Sequence, residues 1–152
     1  MTLCGQPDID TVVPPSAEAS VTYMQGALGP FLAEAIAAYS SADEARRAFR
    51  AFAEMVDGCE SFEETDEDGT TIKYMVTPLA FDELAEDQVA LRLNFQAEGV
   101  TGAFDLVCVR IGATVAQIAG GSVLTILGGG QLAMGDLESF AATATDRLGQ
   151  AA

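Results

Sequence analysis

The sequence predicts an α+β fold in which an antiparallel β-sheet packs in two layers against one helix from the N-terminal half and one C-terminal helix. Residues 88–97 alternate apolar and polar side chains, which is the period of a half-buried strand. After a turn at 98–102, residues 103–117 are rich in apolar and β-branched residues on both faces, with a bend expected at Gly112. Two long strands joined by one turn form the platform on which the helices can pack.

The chain before this platform divides into an arm and the start of one domain. Residues 1–19 hold three of the five prolines and predict an extended arm, whereas residues 20–149 are expected to form a single domain. Short strands are predicted at 20–26 and at 31–39, the second despite its alanines. The sheet therefore begins before the first helix.

The first helix is marked at both ends. Ser41 with Glu44 three residues later is a capping box, in which side chains satisfy backbone N–H groups that have no partner within the helix. Apolar residues then recur at helical spacing with arginines on the opposite side, and Gly58 is a usual signal for the end of a helix. The pattern predicts an amphipathic helix with one buried face.

A hairpin and a final helix complete the domain. Residues 62–78 alternate around a tight acidic turn that ends in Asp68–Gly69, which is a strong hairpin signal. The last helix is predicted to start near Asp136 and to run to Gly149. Before it, the glycines at 128–130 predict a linker, with a flap over a ligand site as the alternative.

The net charge of −16, from 23 acidic and 7 basic residues, restricts the partners. Such a surface repels nucleic acid and anionic lipid headgroups, so neither is an expected partner, although a homodimer with an apolar interface is compatible with it. No apolar run reaches the ~18 residues of a membrane span. No signal peptide is recognisable at the N-terminus, so the protein is either cytosolic or the mature part of an exported one.

The chain contains no histidine, which is the commonest general base and a frequent metal ligand. Ser-His-Asp and Cys-His nucleophile systems are therefore excluded within this chain. Three widely spaced cysteines do not make a zinc site, and the acidic turn at Asp68–Gly69 lacks the spacing of an EF-hand loop. We predict a protein that is not an enzyme and that holds neither a metal nor a cofactor.

The three cysteines leave two interpretations open. Cys59 follows the first helix and Cys108 lies within a strand, so the two can meet in three dimensions. Either they form a disulfide or both are buried free thiols. The odd count leaves Cys4, in the arm, as the remaining thiol.

Three basic residues lie in the middle of three different predicted strands, namely Lys73, Arg92 and Arg110. One interpretation is that each forms a structural ion pair with one of the many carboxylates. The other places two or three of them beside Asn94 and Gln96 on one sheet face, where they line a polar cleft for an anionic ligand. The register of the strands decides between the two interpretations.

The order of these elements resembles a known family. The segments that carry the resemblance are 40–45 at the helix start with Cys59 and Phe62 after the helix, 74–79, 89–92, 106–112 and 145–148 in the last helix. Together, residues 20–148 resemble the PknH-like extracellular sensor domains of actinobacteria, which occur on receptor kinases and on secreted or lipid-anchored proteins. The resemblance implies an exported α+β domain with a cleft, held by disulfides, that binds an extracellular ligand without catalysis.

Kinase-linked members of this family generally carry two disulfides, whereas three cysteines permit only one internal bridge. The resemblance favours Cys59–Cys108 for that bridge. Closing a loop of about 50 residues adds about 4 kcal/mol to stability in the chain-entropy model.

We therefore expect a non-catalytic extracytoplasmic ligand-binding or sensor domain, the mature part of a secreted protein or lipoprotein, located outside the cell or at its surface. Its ligand is expected to be a small molecule or a component of the cell envelope, bound on the polar face of residues 89–97. The alternative is a cytosolic acidic protein-interaction module such as an export chaperone.

Overall fold

A computed structural model describes residues 3–6, 9–26, 29–125 and 132–151. These residues form one seven-stranded antiparallel sheet with the strand order β1-β2-β7-β6-β5-β4-β3, together with two long helices and a short one. The elements are α1 (Ile9–Val12), β1 (Ala17–Met24), β2 (Phe31–Ala38), α2 (Ala42–Val56), β3 (Ser61–Thr65), β4 (Thr71–Pro78), β5 (Asp87–Ala97), β6 (Val100–Ile111), β7 (Thr114–Thr125) and α3 (Met134–Ala151). The α+β fold class is confirmed.

The centre of the sheet consists of two consecutive hairpins. β5 and β6 pair along their whole length, as the alternation in 88–97 predicts. The predicted second strand at 103–117 is wrong, because the chain reverses at Gly112 and residues 114–125 return as β7 beside β6. Gly112 has a φ of 57°, the left-handed conformation that two-residue hairpin turns require. A sequence pattern with apolar residues on both faces therefore came from two strands, both covered on both sides in their central parts.

α2 covers one face of the sheet. The Ser41 hydroxyl accepts a hydrogen bond from the Glu44 N–H, as the capping box predicts, while the Glu44 carboxylate accepts from the Ser40 N–H instead of that of Ser41. The buried side of the helix packs on the sheet through alanine and phenylalanine side chains, among them Phe49 and Phe52. Gly58, at φ 72°, follows the helix end as predicted.

α3 covers the opposite face. Leu137, Ala141 and Ala144 of this helix are buried against Ile118 of β7, and a neighbouring cluster centres on Val107 of β6. The strand registers place Ile118 and Val107 on the sheet face that points away from α2. The layers are therefore helix, sheet and helix, and the predicted two-layer arrangement is corrected to three layers.

The N-terminal arm is folded onto the α2 side. Residues 3–5 form a 3-10 turn that contacts β3 and α2, α1 packs against α2, and the Ser16 N–H donates to the Ala38 carbonyl at 2.8 Å. The arm therefore crosses α2 from the β3 side of the sheet to the β1 side. Where the sequence predicts an extended arm through residue 19, the structure has two helical turns, and β1 begins at Ala17.

A disulfide between Cys4 and Cys59 fastens this arm. The predicted Cys59–Cys108 bridge is wrong, because Cys108 lies in the middle of β6 with no exposed surface, beneath α2, as a free thiol. Cys59 lies beyond the C-terminal end of α2, at the margin of the sheet, where the 3-10 turn of the arm reaches it. Cys4, which was expected to remain a free thiol, is therefore one of the two cysteines in the disulfide.

Candidate functional site

The α3-facing side of the sheet is only partly covered. α3 packs on the parts of β6 and β7 near Val107 and Ile118, and the strands continue beyond it. On the uncovered end lies a cavity of about 850 Å³, which we call the sheet cleft and to which α3 contributes no lining residue. Side chains of β3, β4, β5, β6 and β7 line it, among them Glu63, Lys73, Met75, Asn94, Gln96 and Leu124.

Strand register brings three of the predicted site residues together in this cleft. Lys73 lies opposite Gln96, and Asn94 lies opposite Met75 on one side and Ala103 on the other. Residues that are directly opposite in an antiparallel pair point to the same face, so Lys73, Asn94 and Gln96 share the sheet cleft. All three are exposed.

Arg92 borders the cleft but already has a partner. It lies opposite Asp105 and donates two hydrogen bonds to that carboxylate, from Nε and Nη2, each at 2.7 Å. The side chain of Asp105 is only 12% exposed, while that of Arg92 is 42% exposed. The hydrogen bond to Asp105 raises the pKa of Arg92, against a smaller lowering by burial. Arg92 therefore forms an ion pair with Asp105 at the edge of the sheet cleft.

Arg110 lies on the opposite face of the sheet. It pairs with Asp87, directly across from it in β5, and its Nη1 donates to the Gly112 carbonyl at 3.0 Å. Its side chain is 12% exposed. The prediction that places Arg110 beside Asn94 and Gln96 is therefore wrong, because the register puts it on the α2 side.

The charges of the sheet cleft balance. Lys73 Nζ is 3.4 Å from Glu63 Oε1 on the neighbouring strand, and both side chains are mostly exposed. These are the charged groups among its lining residues in the described part of the chain. The remaining polar groups are the amides of Asn94 and Gln96 and the hydroxyls of serine and threonine residues that line the cleft. The lining residues therefore carry no net positive charge that would attract an anionic ligand.

Two exposed apolar side chains complete the character of the cleft. Met75 is 62% exposed and Leu124 is 39% exposed, which is unusual for large apolar residues in the interior strands of a sheet. Sequence reasoning missed both. The available signal at Met75 is the alternation of its strand, which places Met75 on the same face as Lys73 and opposite to Tyr74.

An aromatic cluster lies on the other side of the same strands. Phe62 and Tyr74 stack with ring centroids 4.5 Å apart and an interplanar angle of 11°, and Phe95 and Phe104 extend the cluster. A Cβ atom at Gly102 would lie 2.3 Å from the Phe95 ring, so glycine there permits the close approach. Burial, and to a lesser extent Glu64, raises the pKa of the Tyr74 hydroxyl. This packed layer holds the strands that form the floor of the cleft.

The described residues contain no group of three or more His, Cys, Asp or Glu side chains that could hold a metal ion. Burial raises the pKa of the Cys108 thiol to about 12, which keeps it protonated and unreactive near neutral pH. No helix in the same part of the chain is long and apolar enough to cross a membrane. The glycines at 128–130, predicted as a linker or flap, lie outside the described residues.

A helix on each face of one antiparallel sheet, an arm fastened by a disulfide and an open cleft of balanced charge define a small disulfide-bonded α+β domain. A family model described as the PknH-like extracellular domain matches residues 11–120, and the chain belongs to this family. The predicted resemblance is thereby confirmed.

A solved structure shares the fold. The crystal structure of the extracellular domain of PknH from Mycobacterium tuberculosis matches with a TM-score of 0.57 and 11% sequence identity, over 91% of this chain and 90% of that chain. At this identity, the likeness concerns the fold alone. No curated protein sequence matches the chain significantly.

Proposed function

We propose that this protein is a non-catalytic sensor-type domain that binds an extracellular ligand in the sheet cleft. The observation that carries the proposal is the cleft itself, a cavity of about 850 Å³ in which Met75 and Leu124 are exposed beside amide and hydroxyl groups. Ligand sites commonly combine apolar surface with a few polar groups that fix orientation, and this volume is in their usual range.

The chemistry of the cleft favours an uncharged amphipathic ligand. Asn94 and Gln96 offer both donors and acceptors, while Met75 and Leu124 offer apolar contact. Lys73 is paired with Glu63, so the pair can hydrogen-bond a polar head without selecting a net charge. This replaces the anionic ligand expected from the basic residues with a neutral one, such as a glycoside with an alkyl chain.

The compartment supports the same proposal. The family is one of extracellular domains, and the Cys4–Cys59 disulfide is of a kind that persists in oxidising surroundings. We infer that the domain acts outside the cytoplasm as part of a secreted protein or lipoprotein. The cytosolic export-chaperone alternative has no support from the family.

The test uses octyl glucoside, a neutral glycoside, at concentrations below those at which it forms micelles, with backbone amide NMR to locate its site. Shifts are expected at residues 94, 96, 101 and 122, with saturation on titration. Met75→Glu is expected to weaken binding about tenfold, because it places a charge on the apolar part of the cleft.

The matched control is Met24→Glu, because Met24 on β1 is also 62% exposed and the substitution adds the same charge outside the cleft. It should leave the affinity unchanged. Equal loss of binding in both variants, or shifts spread over the whole surface, would refute the sheet cleft as the site.

A further inference from the structure

A second cavity lies on the α2 side of the sheet, opposite the sheet cleft. It has a volume of about 340 Å³ and is partly enclosed between α2 and the β1–β2 hairpin. Ala35 and Ala37 of β2 form its floor, Ala48 and Phe52 of α2 form one wall, and Gln117 of β7 also lines it. No residue that lines this cavity lines the sheet cleft.

The cavity lies over a row of alanines on the α2-facing side of β2. Leu32 and Ile36 point to the α3 side, where they pack in the clusters around Ile118 and Ala116. Ala33, Ala35 and Ala37 alternate with them and point to the α2 side. Ala35 is exposed although β2 lies between two other strands, so the space above it is open. The alanine side chains leave this space unfilled, so a half-open pocket remains between the hairpin and α2.

The charge at this second cavity is negative. Glu18 on β1 is exposed at the rim, and among the described residues that line the cavity it is the one charged side chain. None of the seven lysine and arginine residues lines it. The net charge of −16 adds a negative potential around the opening, which raises the local concentration of cations and lowers that of anions.

We propose that this second cavity is a binding site for a small amphipathic cation, with a flat apolar body over the alanines and a protonated amine directed to Glu18. Phe52 provides an aromatic wall for the apolar body, and Gln117 provides an amide within the cavity. The volume suits a molecule of one or two fused rings, since it is at the lower end of the range for ligand sites. The site is independent of the proposed function, because it lies on the opposite face of the sheet.

The probe is tryptamine, which joins an indole ring to a protonated amine. The chain contains no tryptophan, so indole fluorescence anisotropy follows the probe without interference from a protein indole. Saturable binding to the whole protein is expected. Indole-3-acetate, which has the same ring and a negative charge, should bind at least about tenfold more weakly, because it meets Glu18 and the negative surface.

Two variants locate the site. Ala35→Leu places a larger side chain on the floor of the cavity, in the space proposed for the indole ring. Tryptamine binding should become about tenfold weaker or more, because adding a ring to a space that is already filled is costly. Ala33→Leu is the matched control, because Ala33 lies on the same strand and the same face but does not line the cavity. Glu18→Gln should weaken tryptamine binding about threefold, as expected for an exposed charge contact, and should narrow the difference between the two probes.

Thermal unfolding of each variant shows whether it is folded before its affinity is measured. The proposal is overturned if folded Ala35→Leu binds tryptamine as the original protein does, or if Ala33→Leu loses binding equally. It is also overturned if the two indole probes bind with the same affinity. An absence of octyl glucoside binding at the sheet cleft, by contrast, leaves this site unaffected.

Discussion

The two faces of the sheet are built from the same strands and differ in what covers them. On the α2 side, aromatic rings from β3 to β6 form a continuous cluster, and a disulfide fastens an arm across the helix. On the α3 side, the helix covers only the central part, and exposed amides, Lys73 and Met75 occupy the uncovered end. Within β5, Leu93 is fully buried and the next residue, Asn94, is exposed.

This difference indicates a division of roles. The α2 face supplies most of the buried aromatic surface and fixes the positions of the strands, so the open end of the α3 face need not contribute to stability. Residues at this open end can therefore serve ligand binding without a loss of stability. The predictions below test whether the uncovered end of the α3 face contributes little to stability compared with the buried parts of the sheet, beginning with the largest expected loss.

Removing the disulfide by the double substitution Cys4→Ala and Cys59→Ala should lower the free energy of unfolding by about 4 kcal/mol, since the bridge joins residues 55 positions apart. Urea denaturation measures the loss. The pairing is checked by alkylation of the denatured, non-reduced protein, where one adduct is expected, on Cys108. Adducts on Cys4 and Cys59 should appear only after reduction. A disulfide peptide that contains Cys108 would contradict the structure.

Leu93→Ala should cost about 3 kcal/mol, because the side chain has no exposed surface and its removal leaves a cavity in the core. Asn94→Ala, one residue along the same strand, should change stability by no more than about 0.5 kcal/mol. Both are measured by urea denaturation under the same conditions. Similar losses in the two variants would remove the proposed contrast between the faces.

Arg92→Ala should cost about 2 kcal/mol, because it leaves the mostly buried Asp105 carboxylate without its two charged donors. Lys73→Ala should cost less than about 0.5 kcal/mol, since Lys73 and Glu63 are both mostly exposed. Adding Asp105→Ala to Arg92→Ala should restore part of the stability, as the unpaired carboxylate is then absent. If Arg92→Ala instead weakens octyl glucoside binding at unchanged stability, Arg92 is a binding residue.

Stability should fall as the pH rises above 9. Burial raises the pKa of Cys108 from its ordinary 9.0 to about 12, so in this range the unfolded chain loses a proton that the folded protein keeps. The contribution of the thiol is complete below pH 9 and decreases by about 1.4 kcal/mol per pH unit towards 12. Urea midpoints at several pH values measure this slope. Cys108→Ala should be less stable at pH 8 but should show a smaller slope.

Tyr74→Phe provides a second measure, because the pKa of the Tyr74 hydroxyl is also raised and its contribution is lost above pH 10. The slope between pH 9 and 10 should therefore remain in Tyr74→Phe and be much smaller in Cys108→Ala. An unchanged slope in Cys108→Ala would show that another group is responsible.

Whereas the shared face of Lys73, Asn94 and Gln96 was one of two interpretations that the strand register had to decide, the sequence allowed the fold class and α2 with its Ser41 cap to be predicted. These depend on local periodicity and on side-chain alternation, which a single chain displays directly. Gly112 was expected to bend a strand, but the reversal there depends on which strand pairs with the continuation, and no local pattern specifies that.

The errors at Arg110 and at the disulfide both concern contacts between segments that are distant in the sequence. The register pairs even-numbered residues of β5 with odd-numbered residues of β6, so Arg92 and Arg110 face opposite ways. A shift of one residue would have reversed this result, and periodicity does not fix it. Cys4 could not be assigned to Cys59 because their proximity depends on how the arm crosses α2. Asp105, an acid within an apolar strand, was the available signal for an ion pair with Arg92.

The β1 edge of the sheet is open to pairing with a further strand. Every residue of β1 is exposed, its outer backbone groups meet no further strand in the described chain, and Glu18 is its one charge. Such an edge is a template for another strand. Electrostatic repulsion from the −16 charge separates two copies, and it is screened beyond about 8 Å at physiological ionic strength. Colloidal stability of this protein therefore depends on salt, and light scattering should detect association through β1 as the salt concentration rises.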